Sequence, residues 1–168
     1  MSFFRIKKIN GNDYLYLVEN KWTNKGSRQK VSKYLGKVYR PSGNKAIDFF
    51  EFSGKPIEEM SKEELTLKLI KWELAKKEFR EIRQNVMFNG CFIDLNKNII
   101  YDAKNKAVAL AANEGFLIKD TLNNLVNFKA DGSDEEIGYR LAKVFVDCGI
   151  AVPKDVFVLL FEKIQKSL

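Results

Sequence analysis

The chain has 168 residues, 45% of them hydrophobic, which is enough to bury a core in one compact domain or in a small module attached to a larger one. It contains no histidine, which removes the commonest general base, His-dependent nucleophilic triads and most catalytic zinc sites, and leaves carboxylates, Lys, Tyr, Ser and Cys for any chemistry. The charge is lopsided: residues 1–40 carry ten basic side chains against Asp13 and Glu19, a balance of +8 within a chain whose total is +7, and a field of one sign attracts polyanions from a distance.

From the N-terminus, Phe3–Ile9 alternates Phe and Ile with Arg and Lys and reads as a strand, and Asn10-Gly11-Asn12-Asp13 is a turn signal. Alternation over Tyr14–Glu19 predicts a second strand with Tyr14, Tyr16 and Val18 on one face and Leu15 and Leu17 on the other. After a turn at Thr23–Ser27, Arg28–Leu35 returns as a third strand ending in Gly36. Arg28, Lys30 and Ser32 should point one way, and Gln29, Val31, Lys33 and Leu35 the other.

Arg40-Pro-Ser-Gly43 is linker-like, and the Phe run of Ile47–Phe52 is expected to form a strand or a plug over the sheet. Ser61 and Glu64 form a capping box that starts a long helix, with Leu65, Leu69, Trp72, Phe79, Ile82 and Val86 as its apolar stripe. Cys91–Leu95 and Ile99–Asp102 read as a second hairpin around Asn96–Asn98. Helices are then expected over 106–114, ended by Gly115, over about 120–128, over 134–148, stopped by Gly149, and from Pro153 to about Lys166. The segments 114–120 and 148–155 look alike, each placing Gly, an apolar pair and Lys-Asp before a helix, which shared capping grammar accounts for.

The expected architecture is therefore α+β. A basic antiparallel β-meander over 1–40 precedes a mainly α-helical domain over 57–168 that contains one additional β-hairpin. No apolar run is long enough for a membrane span, and Met1–Asn10 is too charged for a signal-peptide core, so a soluble cytoplasmic protein without a membrane partner is expected. Cys91 and Cys148 lie far apart in apolar segments and are expected to be buried thiols, neither a metal-binding pair nor a disulfide. No motif calls for a cofactor.

Three constellations could carry function. In the meander, tyrosines and Trp22 interleave with lysines and arginines, the combination that binds single-stranded nucleic acid through phosphates and base faces. The residues expected in that role are Tyr16, Lys21, Trp22, Lys25, Arg28, Lys30 and Lys33. The alternative is a Mg²⁺-dependent nuclease of the PD-(D/E)xK type, with Asp94 and Asp102 holding the metal and Lys104 orienting water. The third is a helix-turn-helix over 105–128, with Thr121, Asn123, Asn124 and Asn127 offered to bases. The basic hairpin could also serve an acidic protein partner, and the C-terminal helices a protein partner or a homodimer.

Tyr14-Leu-Tyr-Leu-Val-Glu19, Gly26-Ser-Arg-Gln-Lys-Val31 and Lys33-Tyr-Leu-Gly36 together resemble the N-terminal hairpin of some insertion-sequence transposases and of archaeal Fic-type proteins, where a YxxLVxS strand, a GKxR/K turn and a YLG ending recur. The resemblance covers about a quarter of the chain. Asn20 follows Glu19 in place of the usual small residue, and Gly26-Ser-Arg replaces Gly-Lys-x-Arg. The resemblance implies a basic N-terminal appendage of mobile-element origin. It does not imply AMP transfer, because the histidine-bearing loop of the Fic-type proteins has no counterpart here, and Leu110 stands where their inhibitory helix carries Ser. The expected function is non-enzymatic binding of DNA or RNA.

Overall fold

Asn10 and Gly11 both adopt positive φ, 50° and 80°, the combination demanded by a two-residue type I′ turn. They join β1 (Ser2–Ile9) to β2 (Asn12–Thr23), and a second turn at Asn24–Lys25 leads into β3 (Gly26–Tyr39). The computed structural model, which describes residues 1–83 and 85–167, thus opens with the expected antiparallel meander. Two further strands complete that sheet from much later in the chain. β8 (Val108–Ala112) lies parallel to β3, and β9 (Gly115–Leu117) returns beside it, giving the order β1-β2-β3-β8-β9. The sheet curls until Phe4 on one edge strand meets Phe116 on the other, ring centroids 5.8 Å apart. Leu15, Leu35, Val38, Ala109 and Ile118 fill the space enclosed as a small core.

The 108–117 segment corrects the sequence reading of a helix there, and with it the helix-turn-helix. Ala-rich sequence favours a helix locally, but intrinsic propensity is weak beside the pairing of a whole strand. Gly115 reveals the constraint: a Cβ there would run into the backbone of Val146 and Asp147, and one at Gly149 would meet the carbonyl of Ala112. The two look-alike segments therefore pack backbone to backbone against each other, and Gly115 ends no helix.

Between β3 and β8 the chain builds the rest of the core. The Phe run forms no strand but a single helical turn, α1 (Phe49–Ser53), capped by Asp48 and seating Phe49 edge-on to Trp72 at 5.3 Å. α2 (Lys62–Lys76) starts as expected, Glu64 N–H donating to Ser61 Oγ at 3.1 Å and Ser61 N–H to Glu64 Oε2 at 2.9 Å. It stops ten residues before the end of its sequence stripe. Phe79 N–H reaches back to the Leu74 carbonyl and Glu78 N–H to that of Ala75, with Glu78 at φ 68°, which is a Schellman ending with Glu in the left-handed position usually held by Gly. Phe79, Ile82 and Val86 consequently leave the helix.

The chain continues as a second, four-stranded antiparallel sheet of β4 (Arg80–Ile82), β5 (Asn85–Phe88), β6 (Cys91–Asp94) and β7 (Ile99–Asp102). The expected β6–β7 hairpin is its second half. α3 (Lys119–Val126), α4 (Asp134–Cys148) and α5 (Lys154–Lys166) follow near the expected bounds, α4 ending on Gly149 at φ 73° and α5 preceded by Pro153. The main core joins Leu65, Leu69 and Ile70 of α2 to Ile93, Leu110, Leu122, Leu141 and Leu160. The architecture is α+β, with more strand in the second part than the sequence suggests. Among the described residues, no helix is long and apolar enough to cross a membrane.

Candidate nucleic-acid interface

Cross-strand partners share a face of a sheet, so register assigns every side chain of the meander. β3 holds two residues more than β2 over the shared length: pairing passes from Leu15↔Gly36 to Tyr16↔Tyr34, and from Leu17↔Lys33 to Val18↔Val31, leaving Leu35 and Ser32 as bulges. Ser32 fixes its bulge by donating its hydroxyl to the Leu17 carbonyl at 3.0 Å. A bulge resets the alternation. Lys33 therefore joins Lys30 and Arg28 on the inner, concave face with Lys21, opposite to the parity read from sequence.

The outer face collects the aromatics. Tyr14 pairs with Lys7 and Lys37, Tyr16 with Arg5 and Tyr34, and Trp22 with Ser27. The Tyr34 ring lies 5.3 Å from Tyr16 and 6.3 Å from Tyr14, and Lys7 Nζ sits 4.8 Å over the Tyr16 ring. Arg5 hydrogen-bonds Gln29 across β2, over the position of Val18, which explains why Val18 is only 1% exposed on an otherwise open face. Burial, with Tyr16 and Tyr14 beside it, raises the Tyr34 phenol above its ordinary pKa, so it stays neutral with its π face intact. The result is a row of ring faces edged by Arg5, Lys7 and Lys37. It continues along β2 to Trp22, about 27 Å from Tyr14 at the usual rise of a strand.

Trp22 stands on a protruding arm. β1 pairs with β2 only as far as Ser2↔Glu19, and β8 with β3 only over Lys37–Tyr39, so residues 20–29 pair with each other alone. Trp22 is 86% exposed there. Residues 20–30 hold Lys21, Lys25, Arg28 and Lys30 without an acidic group. Water takes apolar rings out of solvent wherever it can, so an indole held this far into solvent has no role in the chain's own core.

Of the expected site residues, Tyr16 and Trp22 thus share the outer face, Lys21, Arg28 and Lys30 occupy the other side of the arm, and Lys25 lies in its turn. Lys33 is taken, its Nζ 2.7 Å from Asp120 Oδ2 at the start of α3. Arg5 and Lys7, which the sequence reading did not single out, belong to the row because β1 is in register beside it. Their signal was the Phe/Ile alternation with Arg and Lys in β1.

The acidic alternative is dispersed. Asp94 pairs with Ile99 and Asp102 with Cys91, which puts them at opposite ends of the hairpin, about 10 Å apart along the strands. Each carboxylate closes its own turn: Asp94 Oδ1 accepts from the backbone of Asn96 and Lys97 at 2.9 and 3.0 Å, and Asp102 Oδ1 from Lys104 and Lys106 at 2.8 and 3.0 Å. Asp94, Asp102 and Lys104 do not form one metal site, and among the described residues no group of three or more Asp, Glu, Cys or His could hold a metal ion. Thr121, proposed for base contact, is buried: it accepts from Ile118 N–H at 3.1 Å and donates to the Phe116 carbonyl at 2.7 Å. Both thiols are buried and pushed up to about 12 by that burial, far from thiolate reactivity. On the C-terminal helices, Tyr139, Val146 and Val158 stay exposed.

No protein-family model, no curated protein and no solved structure matches this chain.

Proposed function

We propose that the chain binds single-stranded DNA or RNA, without catalysis, along the outer face of its N-terminal sheet and the arm that continues it. The observation that carries this reading is the open row Tyr14, Tyr34, Tyr16 and Trp22 on one face, edged by Arg5, Lys7 and Lys37. Base stacking on such rings is tolerant of sequence, and the cations supply the phosphate contacts. A structural role explains tyrosines on a sheet and lysines at its edges, but not an indole held in solvent on an arm whose residues 20–29 carry Lys21, Lys25 and Arg28 and no acid. The stretch that resembles transposase hairpins, Tyr14–Gly36, coincides with β2, the arm and most of β3.

Fluorescence anisotropy of the full chain against labelled single strands and duplex over a salt series tests it. With about four phosphates neutralised, log K against log salt falls with a slope near −3 on single strands. Single strands should bind more tightly than duplex of equal length, whose bases cannot stack on the rings. Absence of binding to either polymer at low salt would sink the reading and move an acidic protein partner to first place.

A further inference from the structure

The aromatic row ends at a cavity of about 480 Å³, the size of a small-ligand pocket, formed where the outer face of β2 and β3 meets the turn after β7. Tyr14, Tyr34, Tyr39, Lys37, Lys104 and Lys106 line it. Three rings and three ammonium groups are the complement of a nucleotide with its phosphate. Lys37, Lys104 and Lys106 make no ion pair within 4.0 Å among the described residues, and Lys37 Nζ lies 5.9 Å from the Tyr39 ring.

The one acid of the wall, Asp102, is committed to the turn: the backbone N–H groups of Lys106 and Lys104 bind its Oδ1 and hold its carboxyl below the usual range. Its role is to fix the loop that presents the two lysines. That loop also bounds the row. A strand lying on Trp22, Tyr16 and Tyr14 reaches the 103–106 turn at Tyr14, which lines the cavity together with Lys104 and Lys106.

Resting on the single-strand reading above, we propose that this cavity receives the terminal nucleotide of the bound strand and holds its end phosphate with Lys37, Lys104 and Lys106. A phosphomonoester carries a charge between about −1.5 and −2, against −1 for an internal diester, so a ring of lysines at the end of the row favours a phosphorylated end over a chain passing through. The site distinguishes strand ends from strand interiors, independently of base sequence.

The test uses the full chain and one short oligothymidylate in four forms: 5′-phosphorylated, 3′-phosphorylated, hydroxyl at both ends, and covalently closed into a circle. One phosphorylated form should bind about fivefold more tightly than the hydroxyl form, the gain expected from an added end charge of about −1.5 to −2 on exposed, screened lysines. The circle should bind no better than the hydroxyl form. Lys104→Ala with Lys106→Ala should abolish the preference while circle binding survives. Both side chains are exposed, so circular dichroism should show an unchanged fold. Equal binding of all four forms would overturn the cavity assignment and leave the stacking row standing. Failure of every form to bind would overturn both. Thymidine monophosphate that bound as tightly as a phosphorylated strand, with no strand bound through its interior, would make this a mononucleotide site and also overturn strand-end recognition.

Discussion

Asn113, in the turn between β8 and β9, donates its side-chain amide to Glu73 Oε1 at 3.0 Å and to the Gly149 carbonyl at 2.7 Å, tying the five-stranded sheet to α2 and to the α4–α5 connection at one point. Glu73 is 1% exposed, yet its carboxylate is well supplied: Lys76 Nζ at 2.8 Å, Lys77 Nζ at 3.9 Å and the Ala151 N–H at 3.3 Å complete its shell. Lys76 in turn covers the Trp72 ring at 3.9 Å.

Removing Glu73 should therefore be among the most damaging single changes in the chain. Glu73→Ala takes the acceptor from two nearly buried ammonium groups, from the Ala151 N–H and from one N–H of the Asn113 side-chain amide, a loss of about 3–5 kcal/mol. Glu73→Gln keeps shape and some hydrogen bonding and should cost less. Urea unfolding followed by circular dichroism measures both; a Glu73→Ala midpoint equal to wild type would mean that water reaches these groups.

Gly115→Ala should be nearly as severe. Its added Cβ meets backbone atoms of Val146 and Asp147 rather than movable side chains, so the hairpin must move off α4, costing about 1–3 kcal/mol as overpacking usually does. By contrast, Gly138→Ala on α4 would meet only the Phe161 ring, at an ordinary 3.7 Å, and should stabilise by up to about 1 kcal/mol through helix propensity. Thermal melts of the two variants should move in opposite directions.

These contacts show what the sequence could and could not convey. Asn10-Gly11, the Ser61 cap, Gly149 and Pro153 were legible because local chemistry alone dictates those conformations. Glu78 at φ 68° was not, since nothing marks a Glu for the left-handed region until Phe79 folds back on Leu74. The Val108–Ala112 strand was hidden because its partner, Lys37–Tyr39, lies about seventy residues earlier. In the interface, composition revealed the rings and the charge, while the bulges at Ser32 and Leu35 decided which of them share a face. That is a property of pairing, unreadable from one strand.

Both thiols should make the fold sensitive to alkali. Unfolded cysteine loses its proton near pH 8.5, whereas burial raises Cys91 and Cys148 to about 12. Between those values the folded chain binds more protons than the unfolded one. Stability should therefore decline as pH rises through that window, with no contribution from these groups below about pH 8. Replacing both cysteines by Ala should reduce the decline in urea midpoint between about pH 8 and 9.5, a range below most Lys and Tyr titration. Equal pH slopes in the two proteins would show that the thiols are hydrated.

The interface predicts a division of labour between its two sides. Trp22→Ala and Tyr16→Ala remove ring faces but no charge, so each should weaken single-strand binding by about 1–3 kcal/mol with little change in salt slope. Replacing Lys21 and Arg28, cross-strand partners on the arm, should do the reverse: a slope flatter by about one to two units and a loss that shrinks at high salt. Lys33→Ala separates the structural reading from a count of basic residues. Its ammonium is held by Asp120 at 2.7 Å on the face away from the row, so its loss should leave the slope nearly unchanged. Anisotropy titrations of these variants over one salt series decide the matter. A slope that fell as much for Lys33→Ala as for the arm pair would show that the strand runs past Lys33 towards α3, and would contradict a path carried by the arm and the outer-face row.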